Sequence, residues 1–430
     1  MDVLIFCTDR FPYGKGEAFI ENEIPYLARR FDKIIVVPMA LTVSEDTKRA
    51  LPDNFIILPP ANTDDLYKSG RPTRTQRVMW SVKYMLPWCV SAAVSSDTMK
   101  EISRMIKHHE SSASRVVQHI RTMGQIKRNE SFFSKFKAEI PVAANVYIYS
   151  YWLSYGTKYI EKTLRIKHNN VKKRLCRAHG YDLYSERREC KYIPFQENAI
   201  DYFDKVCMIS RNGLDYIREK YPEYTKKYAL HYLGTKDYGQ GYYNPDEKAF
   251  HIVSCSYVIP VKRVDRIVDA LSSINGINIR WSHFGAGQDF EKLKNYAKIL
   301  DDNPYISYEF KGQILNQELM SYYQTHSVSL FVNVSSSEGL PVSIMEAISF
   351  GIPVVATDVG GTADAVENGV NGILLKENFS NEELREAILK IADSENYLDY
   401  RRKAREIWMQ RFYESSNYPS FIKENFGENI

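Results

Sequence analysis

The sequence predicts an α/β protein of two doubly wound halves, each a parallel sheet covered by helices. Three observations predict it. Short, continuously apolar runs alternate with segments of helical periodicity. The alternation runs through two cycles, separated by a stretch rich in Gly, Tyr, Asn and Pro at residues 234–246. The chain, 430 residues long, exceeds what one ordinary core fills, at roughly 100–200 residues per domain.

The first cycle opens with Val3–Cys7, an apolar run of the kind buried on both faces of a parallel sheet. Phe11–Gly16 (FPYGKG) is turn chemistry. Glu17–Arg30 places Phe19, Ile20, Ile24 and Leu27 at helical spacing, and Lys33–Pro38 is a second strand. Strands resume at Val146–Tyr149, Arg174–Ala178 and Lys205–Ile209. Residues 60–140 break this rhythm; polar, Ser-rich and basic, they read as a helical insertion.

In the second cycle strands are expected at His251–Cys255, Ile277–Phe284, Ile306–Phe310, Val328–Val332 and Pro353–Thr357. Helices are expected at Val264–Leu271, Gln288–Ile299, Asn316–Thr325 and Pro341–Phe350. The expected domains are 1–238 and 239–405, with a last helix at 406–430 packing back on the first.

Composition narrows the function. A net charge of +4 is too weak to call for nucleic acid. The six cysteines form no CxxC pair and no zinc spacing, which suits reduced thiols in a cytoplasmic protein. The first residues lack the charged start and cleavage site of a secretion signal. No apolar stretch reaches the ~20 residues of a membrane span; the nearest, Val78–Val94, contains Lys83 and Pro87.

The chemistry concentrates in VSLFVNVSSSEGLPVSIMEAISFGIPVVATDVGG, residues 328–361. It parses as strand, loop, helix, strand, loop. Ser335–Ser337 offer capping hydroxyls, Pro341 suits the first helical position, and Gly351 falls where the helix must end. The Gly339-Leu340 turn, with Pro341 and Val342, turns N–H groups of the helix start toward a ligand, and a diphosphate is the natural guest. Glu338 and Glu346 bracket that point, as carboxylates able to accept from sugar and ribose hydroxyls.

Glu338-x7-Glu346 within SEGLPVSIMEA, followed by GIPVVATDVGG, resembles the signature of the family 4 retaining glycosyltransferases. The resemblance covers about 1–60 and 145–380. It implies a GT-B fold, two Rossmann-like domains facing a central cleft, the first (1–238) binding the acceptor and the second (239–405) the nucleotide-sugar donor (UDP- or GDP-linked), and transfer with retention. It implies no metal and no other cofactor, and no Asp-x-Asp pair is present. Ser256–Arg263 (SYVIPVKR) is similar to the family segment whose Arg and Lys grip the donor diphosphate. Lys262 matches the Lys; Tyr257 stands at the Arg position, so that either Arg263 supplies a second charge or one cation with the helix dipole suffices. Gly285 and Gly287 resemble the family's glycine turn, and Gly312 and Ile314 the segment beside the base; a turn of purely structural purpose reads equally well at both. His179 in RAHGYD resembles the histidine that faces the donor sugar, and Gly14-Lys-Gly16 the N-terminal glycine loop.

Residues 71–137 hold 13 Lys/Arg against four Asp/Glu, with Trp80, Tyr84, Met85, Leu86 and Trp88 beside the first basic group. Either a solvated helical face or contact with anionic lipid accounts for this pattern. Lipid contact suits a lipid-linked glycan acceptor in bacterial surface polysaccharide synthesis and a peripheral site on the inner face of the plasma membrane. Two rivals remain: a sugar-nucleotide epimerase or hydrolase of the same fold, and a non-catalytic subunit of a synthesis complex. A nicotinamide Rossmann enzyme fails, because Gly14 and Gly16 lack the third glycine of the fingerprint.

Overall fold

A computed structural model describes the chain except residues 15–16, 41–47, 61–72, 108–110, 137–139, 167, 189 and 428–430; at 74, 77, 78, 80–84 and 168 it describes the backbone alone. Gly16 of the glycine loop therefore lies outside the described residues, as do Arg71 and Lys137 of the basic insertion.

The chain divides into two units. The first comprises residues 1–208, 213–231 and 419–430, the second residues 209–212 and 232–418. Residues 232–238, assigned to the first half on sequence, thus belong to the second. The stretch 234–246 is packed on that unit rather than free as a linker: Thr235 N donates to Phe412 O at 2.8 Å and Gly241 N to Phe350 O at 3.0 Å. The last helical region is two helices, Tyr397–Arg411 and Glu414–Phe426.

The first unit is built on a parallel sheet of strands β1 (Asp2–Thr8), β2 (Lys33–Pro38), β3 (Phe55–Ile57), β4 (Asn145–Ser150), β5 (Val171–Ala178), β6 (Lys205–Met208) and β7 (Tyr228–Leu230), in the order β3-β2-β1-β4-β5-β6-β7. Phe6 of β1 stands beside Val36 on one side and Tyr149 on the other. Six of the seven β1 residues are buried, which is why that run carries no polar alternation. Leu4, Phe6, Leu27, Phe31 and Tyr149 pack one face, joined by Phe421 and Phe426 of the last helix. Arg30 ties that helix end down, donating Nε to Gly427 O at 2.9 Å.

The insertion is helical, as expected: Arg74–Ala93, Ser96–Lys107 and Ala113–Phe133. The first and third of these helices approach closely at Gly124, where a Cβ would stand 3.1 Å from Cys89 Sγ. Asp97 accepts from Tyr155 and Tyr159, and Asn129 Nδ2 donates to Met39 O at 2.8 Å, so the insertion is anchored to the sheet it interrupts.

The second unit holds a parallel sheet of β8 (Phe250–Cys255), β9 (Ile279–Phe284), β10 (Ile306–Gly312), β11 (Leu330–Asn333), β12 (Val354–Thr357) and β13 (Gly372–Leu375), in the order β10-β9-β8-β11-β12-β13. Strands β3, β7 and β13 were not anticipated; each spans three or four residues, too few to show a period. The helix expected at 288–299 is Phe290–Tyr296 followed by a tighter turn, Ala297–Asp302.

Candidate functional site

In the second unit the strand order reverses between β8 and β11. Open α/β sheets bind ligands outside the carboxyl ends of the strands at such a switch point. Two loops leave there, 256–264 and 334–341, and they are stitched together by Ser336 N donating to Val261 O at 2.8 Å.

The first loop ends in a single tight turn, Pro260–Lys262. It presents the Lys262 ammonium, whose Nζ lies 2.7 Å from Glu338 Oε1. That oxygen also accepts from Asn333 Nδ2 at 3.2 Å, while Asn333 Oδ1 accepts from Ser335 N at 3.1 Å. Asn333, the last residue of β11, thus shapes the loop and steadies Glu338; as one amide in an apolar strand it gave no signal in the sequence.

The helix after the second loop runs Val342–Ser349, with Pro341 as its cap rather than its first residue. The cap position carries no side-chain hydrogen bond. Of the expected serine caps, Ser336 Oγ donates instead to Val261 O, while the main-chain carbonyl of Ser335 accepts from Arg263. Among the described residues, no main-chain carbonyl accepts from the N–H groups of Gly339, Leu340, Val342 or Ser343. The helix start is therefore an open cluster of donors at the positive end of its dipole. Gly361 N closes the back of the loop on Gly339 O at 2.7 Å, and a Cβ at 361 would stand 2.4 Å from that oxygen. Gly351, at φ +72, ends the helix where expected.

Glu346 lies roughly 8 Å along the axis from the cap. It is half-buried, its Oε1 accepting from Asn316 Nδ2 at 2.7 Å. Burial pushes its carboxyl up to about 7, against the pull of the Asn316 bond. Asn316 opens the helix Asn316–Thr325 and was read only as its start.

Arg263 takes a different part from the one expected. It adopts φ 48, and its guanidinium donates to Val334 O (2.7 Å), Ser335 O (3.1 Å) and Glu377 O (2.8 Å). Those bonds make it a brace for the loops. Tyr257 is exposed. Gly285, at φ +124, and Gly287 are demanded by packing: a Cβ at 285 would stand 1.9 Å from Ser256 O, and one at 287 stands 2.4 Å from Val258 O. Gly285 N donates to Gly312 O, aligning the loop ends after β8, β9 and β10, with Ile314 half-buried just beyond.

In the first unit His179 follows β5 and begins the short helix Gly180–Leu183. Its N–H donates to Asp182 Oδ1 at 2.6 Å, and Asp182 Oδ2 accepts from Leu153 N at 2.7 Å. The imidazole lies against Tyr151 and Trp152, with ring centroids 5.1 and 4.5 Å away. It is buried, and neither ring nitrogen has a hydrogen-bond partner among the described residues. Burial, helped by Arg177, pulls its pKa down to about 3. Glu17, beside the glycine loop, accepts from Arg10 N, Phe11 N and Trp152 Nε1 at 2.6–2.7 Å, a loop-fixing role not apparent from sequence. No group of three or more His, Cys, Asp or Glu among the described residues is placed to hold a metal ion.

Solved structures decide the fold. The lipopolysaccharide outer core galactosyltransferase WaaB superposes with a TM-score of 0.62 at 14% identity, covering 99% of each chain. Anabaena HepE in complex with UDP superposes at 0.58 and 16% identity, again over 99% of each. The chain has the GT-B fold. Within this GT-B chain, residues 242–408 match the family model described as glycosyl transferases group 1. An uncharacterized glycosyltransferase of Methanocaldococcus jannaschii is 29% identical over 50% of this chain and 58% of its own length. The lipopolysaccharide 1,6-galactosyltransferase of Escherichia coli K12 is 35% identical over 26% of this chain and 31% of its own. The matches thus span less than two thirds of these curated relatives.

Proposed function

We propose that this GT-B chain is a glycosyltransferase that moves a hexose from a nucleotide sugar to a glycan acceptor. One observation carries the reading: a helix start with open N–H groups stands beside the Lys262–Glu338 pair at the switch point of the second sheet. Glycosyl transfer passes through an oxocarbenium-like state and releases a nucleoside diphosphate. Donors fixed in advance around that diphosphate stabilise the charge it gains as the bond breaks. Gly339, Leu340, Val342 and Ser343 supply main-chain N–H groups, and Lys262 the cation. Glu338 orients Lys262 and accepts from the sugar; Glu346 accepts from the ribose. Arg263 acts through loop geometry. His179, neutral and with both nitrogens unpartnered, donates one hydrogen bond to the donor sugar.

The donor is UDP-linked, a reading supported by the likeness to HepE, which was solved in complex with UDP. Configuration is retained and no metal is required, as the family 4 resemblance implies. The acceptor is a glycan of bacterial surface polysaccharide synthesis, carried on lipid. Exposed Leu86, Val90 and Val94, with the basic residues of the insertion, support contact with anionic lipid at the inner face of the plasma membrane. No helix among the described residues is long and apolar enough to cross a membrane.

A thermal-shift screen with UDP, GDP and their hexose conjugates tests the donor reading. UDP and one UDP-hexose raise the melting temperature; no response to any nucleotide refutes the proposal. Mass spectrometry of the donor incubated alone separates a transferase from an epimerase, which would convert it without an acceptor.

A further inference from the structure

We propose that Asn316 is a positioning residue for the sugar nucleotide: its amide holds the Glu346 carboxylate ionised and oriented, and so sets how strongly the site prefers a ribose. The inference rests on the reading of Glu346 as the ribose acceptor and adds the residue through which that acceptor works.

Asparagine near a helix start ordinarily caps it, its side chain accepting from a free main-chain N–H. Asn316 opens the helix Asn316–Thr325, yet its side chain is not used there. The cap position is Leu315, whose N–H donates to Glu318 Oε2 at 2.7 Å. The Asn316 amide turns instead to another helix, where Nδ2 donates to Glu346 Oε1 at 2.7 Å. Packing fixes the two helices: Leu319, Met320 and Tyr323 of the first share one buried cluster with Ile344, Ala347 and Ile348 of the second. Oε1 is thereby held, and no described residue donates to Oε2. A carboxylate has room for several donors, so Oε2 is left for a ribose hydroxyl.

The surroundings leave that amide decisive. Glu346 faces Cys255 at the end of β8, Tyr323 about two turns along the Asn316 helix, and Tyr238. Burial keeps all three neutral, with the Cys255 thiol pushed up to about 12. Lys262, whose charge Cys255 also feels, is paired with Glu338. Burial drives the Glu346 carboxyl up to about 7, and among the described residues the Asn316 hydrogen bond is what pulls it down. A hydrogen bond given to the charged form favours that form. Without it the carboxyl stays protonated at neutral pH, and a protonated carboxyl is a poorer acceptor for a hydroxyl.

Calorimetric titration of the full chain with UDP, 2′-deoxy-UDP and 3′-deoxy-UDP between pH 6 and 9 tests this. The three carry the same phosphates, so the ratio of their affinities isolates the ribose contact from phosphate ionisation. The unmodified chain prefers UDP to at least one analogue, and the preference grows as pH rises through about 7. Asn316→Ala lowers that preference by ~3- to 10-fold at pH 7 and moves its rise to higher pH. Asn316→Asp, the same shape with no N–H to give and a second negative charge, lowers it further. A preference of unaltered size and pH dependence in both variants, as a purely helix-joining contact gives, overturns the inference. No preference for UDP over either analogue in the unmodified chain overturns the Glu346 reading and the inference with it; no UDP binding at all refutes the donor reading on which both rest.

Discussion

The ammonium of Lys262 and the carboxylate of Glu338 meet at 2.7 Å, from loops that follow two different strands. Both are mostly buried, so the pair feels little screening by solvent. It holds Lys262 beside the open start of the helix Val342–Ser349.

Removing the cation leaves the departing diphosphate without its counter-charge. Lys262→Ala is expected to lower kcat by ~100-fold or more, the scale seen when one preorganised transition-state donor is lost. Glu338→Gln keeps the shape but loosens Lys262, and the double variant is expected to fall short of the sum of the two effects. Steady-state kinetics on folded variants, checked by circular dichroism, measure both.

Glu346 gives a pH prediction. Its carboxyl is raised from 4.5 to about 7 in the folded chain. A raised carboxyl favours the protonated form in the fold. The stability it lends is complete below pH 4.5 and is lost as pH rises through about 7. Glu346→Gln is therefore expected to match the unmodified protein in melting temperature at pH 4.5. At pH 8 it melts higher, being the more stable by an amount on the order of 1–3 kcal/mol. The same variant loses donor affinity, because it trades a ribose-accepting carboxylate for an amide. Equal melting temperatures at both pH values contradict the assignment.

His179→Phe tests the unpartnered imidazole. The ring packing against Tyr151 and Trp152 is kept, and two buried nitrogens without partners are removed. Stability changes by no more than ~1 kcal/mol, while turnover drops. With the imidazole held near about 3, His179 stays neutral from pH 5 to 8 and adds no limb to the pH–rate profile. Whatever stability its neutral form lends is present above pH 6.5 and lost as pH falls toward 3.

Much of this architecture was legible in the residues, for physical reasons. Buried parallel strands such as Lys33–Pro38 and helices such as Asn316–Thr325 carry unbroken apolar runs or clear periods, and they lie where the pattern places them. The edge strands Phe55–Ile57 and Gly372–Leu375 do not, because so few residues hold no pattern. Local chemistry read less well than local shape. Pro341 fits both the cap and the first helical position, and only the backbone chooses. Arg263 beside Lys262 looks like a second phosphate charge, yet its left-handed backbone turns the guanidinium onto Val334 O and Glu377 O. Asn316 and Glu17 work through partners distant in sequence, Glu346 and Trp152, which spacing does not reveal.

Arg263 yields the remaining prediction. As a brace it contributes to stability, so Arg263→Ala is expected to lose on the order of 1–3 kcal/mol by leaving loop carbonyls unpaired. At a temperature where the variant is folded, its donor KM changes far less than that of Lys262→Ala. Chemical denaturation and kinetics, run in parallel, separate the two roles.

The central claim is that a sugar nucleotide's diphosphate sits at the start of the helix Val342–Ser349. A crystal structure with UDP bound tests it most directly. The account predicts phosphate oxygens within hydrogen-bonding distance of the main-chain N–H groups of residues 339–343 and of Lys262 Nζ. A nucleotide bound with its phosphates away from that helix start contradicts it.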